Sequence, residues 1–150
     1  MASWSEFETA APQLAERVKT LFDAHKHKTI ATLRKDGSPR ISGTETAFRD
    51  GELWIGSMWQ ALKARDLQRD PRFALHSATF DPDKDWPGEA KIAGIAHEEQ
   101  ASEPEGDAEP SHSFRLDLTE VSTVGLNDAR TLLVIDVWTP EGGLRQITRK

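Results

Sequence analysis

Apolar positions along the chain change period near Lys28, and that change separates a helical opening from a strand-rich remainder. Between residues 12 and 25, Leu14, Val18, Leu21 and Phe22 fall at i, i+4, i+7 and i+8, the single stripe of a surface helix. Ahead of it, Ser5-Glu6-Phe7-Glu8 offers a capping box in which hydroxyl and carboxylate each accept a backbone N–H, and Pro12 divides this first turn from the longer helix. Residues 1–27 are therefore predicted as a helical segment lying across a sheet.

Beyond Lys28 the pattern is that of strands. Thr29-Ile30-Ala31-Thr32-Leu33 is short and β-branched, Asp36-Gly37 marks a hairpin turn, and residues 40–46 form the second strand. Arg49-Asp50-Gly51 turns the chain into a third strand, Leu53-Trp54-Ile55-Gly56. Residues 60–70 are rich in helix formers and stop before Pro71, whose ring disfavours helical geometry in the residue ahead of it. Residues 72–77 and 90–96 read as two more strands around a Pro/Asp/Gly-rich loop at 81–88, and the acidic stretch 98–113, with Pro104 and Pro110, reads as a solvated loop. Three short strands are predicted at 114–121, 122–126 and 132–138. The expectation is one domain over residues 1–150, mainly β (α+β): a small antiparallel split β-barrel with an N-terminal helix and one helix between strands.

Composition narrows the chemistry. The chain carries 25 acidic against 19 basic side chains, a net charge of −6 with both signs interspersed, which argues against nucleic acid as a partner. It has no cysteine, so disulfides, thiolate metal sites and a cysteine nucleophile are excluded, and redox work needs a borrowed cofactor. The first residues, MASWSEFETAAPQ, carry acids where a secretory signal would be basic, and the longest aliphatic run, Leu132-Leu133-Val134-Ile135, is far too short to cross a membrane; the expected location is the cytoplasm. Phosphate-loop, nucleophile-elbow, zinc-protease and dinucleotide fingerprints are all missing. Of the five histidines only His25 and His27 are close, at a helix end where they suit the dipole, so neither a metal site nor a catalytic residue is designated.

The informative stretch is Asp36-Gly37-Ser38-Pro39-Arg40-Ile41-Ser42-Gly43-Thr44, then Gly51-Glu52-Leu53-Trp54-Ile55-Gly56-Ser57, then Lys63-Ala64-Arg65-Asp66-Leu67-Gln68-Arg69-Asp70-Pro71. In this order and spacing, with Lys-x-x-x-Leu-x-x-x-Pro after a strand meander, the chain resembles the FMN-binding split-barrel family of pyridoxamine 5'-phosphate oxidase-like proteins across residues 29–138. The resemblance implies a homodimer with FMN, or its deazaflavin relative, in a groove between subunits. Cofactor contacts are then expected from Arg40, Ser42, Gly43 and Thr44 on the second strand, and from Ile55, Gly56 and Ser57 on the third. Lys63 and Arg65 at the helix start would face phosphate, and Trp138 would reach over the cofactor across the dimer interface. Small side chains at Ser42, Gly43 and Thr44 would let a flat ring approach the strand backbone, and the turn before the helix would supply N–H donors to phosphate. Trp59, just before the helix, is the other tryptophan expected to face a ligand or the partner.

The chain also departs from the pyridoxamine phosphate oxidases proper. Their basic residue on the second strand stands here as Ser42, and the Ser-Arg before the helix lysine as Ala61-Leu62. Their C-terminal Arg-Leu-x-Pro is absent, the chain ending Leu144-Arg145-Gln146-Ile147-Thr148-Arg149-Lys150. The expected activity is that of a flavin- or deazaflavin-dependent oxidoreductase acting on another small molecule. The alternative is a non-catalytic dimeric barrel holding flavin or haem, with His76 or His97 offered as axial ligand. A homodimer is further expected from an apolar barrel face containing Ile92, Ile95, Val134 and Ile135.

Overall fold

The computed structural model of the chain describes residues 1–99 and 110–150. Two helices open it, α1 (Trp4–Ala10) and α2 (Pro12–Asp23), divided at Pro12 as the sequence predicts. The capping box lies two residues earlier than predicted: Ser3 caps α1, its Oγ accepting the Glu6 N–H at 3.1 Å and donating to the Glu6 carboxylate at 3.2 Å. The box is therefore Ser3-Trp4-Ser5-Glu6, and Trp4 and Phe7 become the buried residues of α1. In α2 the expected stripe, Leu14, Val18, Leu21 and Phe22, is buried. The helical segment ends at Asp23, and His27 already begins a strand.

The strands follow as β1 (His27–Leu33), β2 (Pro39–Arg49), β3 (Glu52–Met58), β4 (Arg72–His76), β5 (Glu89–Glu99), β6 (Ser111–Leu126), β7 (Leu133–Thr139) and β8 (Gly143–Arg149), with helix α3 (Leu62–Arg69) between β3 and β4. All pairings are antiparallel, in the order β3-β2-β1-β4-β5-β6-β7-β8, and β3 also pairs with β6. That extra pairing closes β3, β2, β1, β4, β5 and β6 into a six-stranded barrel, from which β7 and β8 extend. The hairpin between β2 and β3 turns on Asp50 and Gly51, both at positive φ (53° and 74°), the geometry that matches the twist of the flanking strands. No described helix is long and apolar enough to cross a membrane.

Three expectations need correction. Residues 114–121 and 122–126 are not two strands but one, the 16-residue β6. Its buried alternation (His112, Phe114, Leu116, Leu118) changes phase after Thr119 because the β5–β6 register slips there, Ala93 facing Glu120 and Gly94 facing Leu118. Thr119 is the bulged residue, its hydroxyl donating to the Ala93 carbonyl at 3.1 Å, and Gly94 opposite it approaches the Asp117 carbonyl so closely that a Cβ would collide. The acidic loop is shorter than 98–113, since Glu98 and Glu99 end β5 and Ser111 to Ser113 begin β6; residues 100–109 lie outside the described ones. Strand β8 was not predicted, because it is an edge strand with almost no buried position and so shows no apolar alternation.

Phe7, Phe22, Phe114, Leu14, Ile30 and Leu53 are among the largest fully buried side chains, with α1 and α2 packed over the barrel. Ile92 belongs to this core at 1% exposure, so it cannot form part of an outer apolar face; Ile95, Val134 and Ile135 are half-buried. Helix α3 is fixed differently. Its buried Asp66 carboxylate accepts from Thr32 Oγ1 (2.7 Å) on β1, Arg40 Nε (2.7 Å) on β2 and Arg69 (3.0 Å) one turn along α3. Burial alone would raise the carboxyl pKa, but the hydrogen bonds from Arg40, Thr32 and Arg69 outweigh it and hold Asp66 below the usual range.

Asp66→Ala strands a largely buried Arg40 and is expected to cost about 3–5 kcal/mol in denaturant unfolding at neutral pH. Because the folded pKa is the lower one, this stabilisation is fully present above the unfolded carboxylate value of about 3.9 and is lost as pH falls through the folded value. A variant within about 1 kcal/mol of the parent would show that the cluster does not anchor α3.

Candidate functional site

Strands β2 and β3 are paired only from Thr46↔Ile55 to Arg49↔Glu52. Past that point β2 stays with β1 through Glu45, Thr44 and Gly43, while β3 stays with β6 through Gly56, Ser57 and Met58. The two strands part, and inter-strand pairing across the gap ends. Backbone groups of Gly43 to Glu45 thus face an opening, and the split becomes a cleft of about 600 Å³ on the outer wall of the barrel, within the size range of small-molecule sites.

Gly43 and Gly56 leave bare backbone on that wall: a Cβ added to Gly43 would meet nothing within 4 Å, and one on Gly56 would meet only the His112 carbonyl at 3.9 Å. Lys63, in the first turn of α3, reaches the gap and donates from Nζ to the Gly43 carbonyl at 2.8 Å. Burial pushes its pKa below the ordinary lysine range, and the Glu45 carboxylate partly reverses the shift. One of three ammonium donors is used by that bond, leaving others for an anion. Helix α3 begins after Ala61, which has no side-chain acceptor to cap it, and its first turn carries no acid. At the cleft's other end the Arg49 guanidinium lies 4.4 Å from the centre of the Trp54 ring.

Six of the ten residues singled out in the sequence meet here: Gly43, Thr44, Ile55, Gly56, Ser57 and Lys63 all line the cleft. The other four do not. Arg40 is held by Asp66, Ser42 is half-buried outside the lining, and Arg65 lies on another face of α3, donating to the Gln60 side chain at 3.3 Å. Trp138 is 5% exposed and packs its ring 4.8 Å from that of Phe7, which places it in the core. His76 and His97 are also outside the lining, engaged by Glu89 at 3.3 Å and Asp117 at 2.8 Å respectively. Sequence reasoning missed Glu45, Thr46, Arg49, Met58 and the pair Ser111 and Ser113. The two serines fall in the predicted acidic loop, although the alternation that continues into Phe114 and Leu116 already begins there.

The cleft fits the flat face of a heteroaromatic ring, which can lie against the bare backbone of Gly43 and Gly56, better than it fits a phosphate. The phosphate end has a single lysine, faced by the Glu45 carboxylate, which itself lies 3.7 Å from Lys26 and 3.6 Å from His27.

No family model matches the sequence, and no curated protein matches it significantly. Solved structures do match. PhzG from Burkholderia lata 383, in complex with tetrahydrophenazine-1-carboxylic acid, superposes with a TM-score of 0.67 at 14% identity, covering 94% of this chain and 93% of its own. A pyridoxamine 5'-phosphate oxidase-related, FMN binding protein from Nostoc punctiforme PCC 73102 gives 0.62 at 11% identity, covering 96% and 97%. This chain has the split-barrel fold. A heme binding protein from Mycobacterium smegmatis shares it, with a TM-score of 0.57 at 16% identity over 91% of this chain and 87% of that one, so a split barrel alone does not specify its ligand.

Because Gly43 lies in extended strand with open space at its Cβ, Gly43→Val is expected to keep the melting temperature of the ligand-free protein and to close the cleft to a planar probe such as FMN. Calorimetry beside a binding titration checks both halves. A destabilised variant that still takes up FMN normally would remove Gly43 from the floor of the site.

Proposed function

We propose that this protein is a flavin-dependent oxidoreductase that holds FMN in the split between β2 and β3 and acts on a small molecule. The observation that carries the reading is the coincidence, at one gap in the barrel wall, of unpaired strand backbone, two glycines without side chains in the way, and the Lys63 ammonium. The pyridoxamine 5'-phosphate oxidase-related, FMN binding protein, which shares the fold, supports a flavin-type occupant, and PhzG, in complex with tetrahydrophenazine-1-carboxylic acid, supports a small-molecule one.

FMN supplies the hydride-transfer chemistry when bound, so the chain itself needs no acid–base pair for the redox step. The roles left to the residues are recognition and shielding. Backbone groups of Gly43 to Glu45 would meet the polar edge of the ring. Lys63, helped by the uncapped start of α3, takes the phosphate. Trp54 and Met58 line the cleft with apolar surface and keep water from the ring.

A single copy leaves this site half built. The phosphate end has one lysine against Glu45, and Met58, Trp59 and Leu62, at 82%, 54% and 60% exposure, stand uncovered on the segment that leads from the cleft into α3. A two-fold homodimer that buries these side chains closes the cleft from the open side and can bring a further cation. Deazaflavin remains the competing occupant. Glu98 and Glu99, whose charge speaks against its acidic tail, lie away from the cleft in bonds to Gln68, His112 and Arg115 and so do not select between the two cofactors.

Lys63→Ala is expected to weaken FMN binding by about 1–3 kcal/mol while riboflavin, which lacks the phosphate, binds as in the parent. Equal losses for both flavins would disconnect Lys63 from the phosphate. Light scattering at micromolar concentration should give twice the 16.7 kDa chain mass, and a monomer would leave the cleft without the cover this reading requires.

A further inference from the structure

The turn that joins β3 to α3 is held from inside the barrel by a histidine with no part in the cleft. His112, on β6 opposite Ser57, is 5% exposed. Its Nε2 accepts the backbone N–H of Gln60 at 3.0 Å, and its Nδ1 lies 2.7 Å from the Glu98 carboxylate. A nitrogen that accepts from a backbone N–H has no proton of its own, so the neutral ring carries its hydrogen on Nδ1 and donates it to Glu98. Glu98 is fixed in turn by Gln68 of α3, whose amide donates to its other oxygen at 2.7 Å. The Trp59 indole lies flat on the imidazole, ring centres 4.7 Å apart and planes 7° from parallel.

Two consecutive residues of the turn therefore converge on one side chain, through the Trp59 ring and the Gln60 N–H, and Gln60 itself stands at φ 57°, a left-handed conformation uncommon for a non-glycine residue. The turn closes through the Ala61 N–H to the Met58 carbonyl at 3.1 Å, and Lys63 follows two residues later. We propose that His112 is a positioning residue: by capturing Gln60 it sets the start of α3 so that the Lys63 ammonium points into the cleft. The proposal rests on the flavin reading for its ligand but not for its geometry. Asp66 fixes the middle of α3, and His112 fixes its approach; neither lines the cleft.

Two substitutions and two readouts test this. His112→Phe keeps a ring for Trp59 to stack on but removes the acceptor; His112→Gln offers a side-chain carbonyl in its place. In ligand-free protein, amide exchange at Gln60 and along residues 61–65 should accelerate in His112→Phe, with the barrel strands unchanged, and return towards the parent in His112→Gln. FMN affinity should fall about five- to tenfold in His112→Phe, riboflavin affinity should hold, and His112→Gln should recover most of the loss. Exchange that quickens throughout the barrel, or FMN and riboflavin losses of equal size, would make His112 an ordinary core residue and overturn the proposal. Should His112→Phe not fold, nitrogen NMR of the unaltered protein decides: a proton on Nδ1 and a bare Nε2 support the lock, and the opposite tautomer overturns it. If the parent binds neither flavin, the functional reading falls, while the exchange pattern still judges the role of His112.

Discussion

The constraint on which the rest depends is the length of β6. Its first residues pair with β3, its length from Ser113 to Val124 pairs with β5, and its last residues, from Val121 onward, pair with β7. One strand can serve three neighbours only by bending, and the bulge at Thr119 opposite Gly94 supplies the bend. Closure through β6 draws β3 away from β2 beyond Ile55. The cleft is therefore a geometric by-product of closing the barrel rather than a cavity hollowed out of its core, which stays filled by Phe114, Leu116 and Ile30.

Around that opening the protein substitutes ionic and polar fixtures for apolar burial. Helix α3 is only eight residues long and buries Ala64, Asp66 and Leu67, too little apolar surface to hold it firmly by itself. Asp66 ties it to β1 and β2, and the pair Glu98 and His112 ties its approach to β5 and β6. Such directional bonds define the orientation of a short helix more sharply than an apolar contact does, and orientation is what a single lysine needs in order to meet an anion.

Much of this was legible in the sequence where local chemistry dictates the outcome. Asp36-Gly37 and Asp50-Gly51 demand turns, the stripe from Leu14 to Phe22 demands a buried helix face, and Pro71 marks where α3 must end. The strand motifs brought Gly43, Thr44, Ile55, Gly56, Ser57 and Lys63 to one place. What could not be read depends on partners distant in sequence. The Thr119 bulge breaks the alternation of β6, so one strand looked like two; β8 has no buried face to announce it. Arg40 reads as free for a cofactor because nothing local reveals that Asp66, 26 residues on, takes it. Trp138 seemed available to a ligand because only the folded chain brings Phe7 against it.

The split also bears on how the protein behaves before any ligand arrives. A closed barrel has no edges, but the parting of β2 from β3 reopens one in the middle of the wall, where Gly43 to Glu45 offer strand backbone without side-chain cover at Gly43. Such a segment is a template for an intruding strand from a second molecule. Lys63 sits across it, occupying the Gly43 carbonyl with a charge that another chain would have to displace. The contact that aims the lysine at the cleft thus also satisfies a carbonyl on the unpaired stretch of the barrel wall, so one ammonium completes the strand edge and charges the opening.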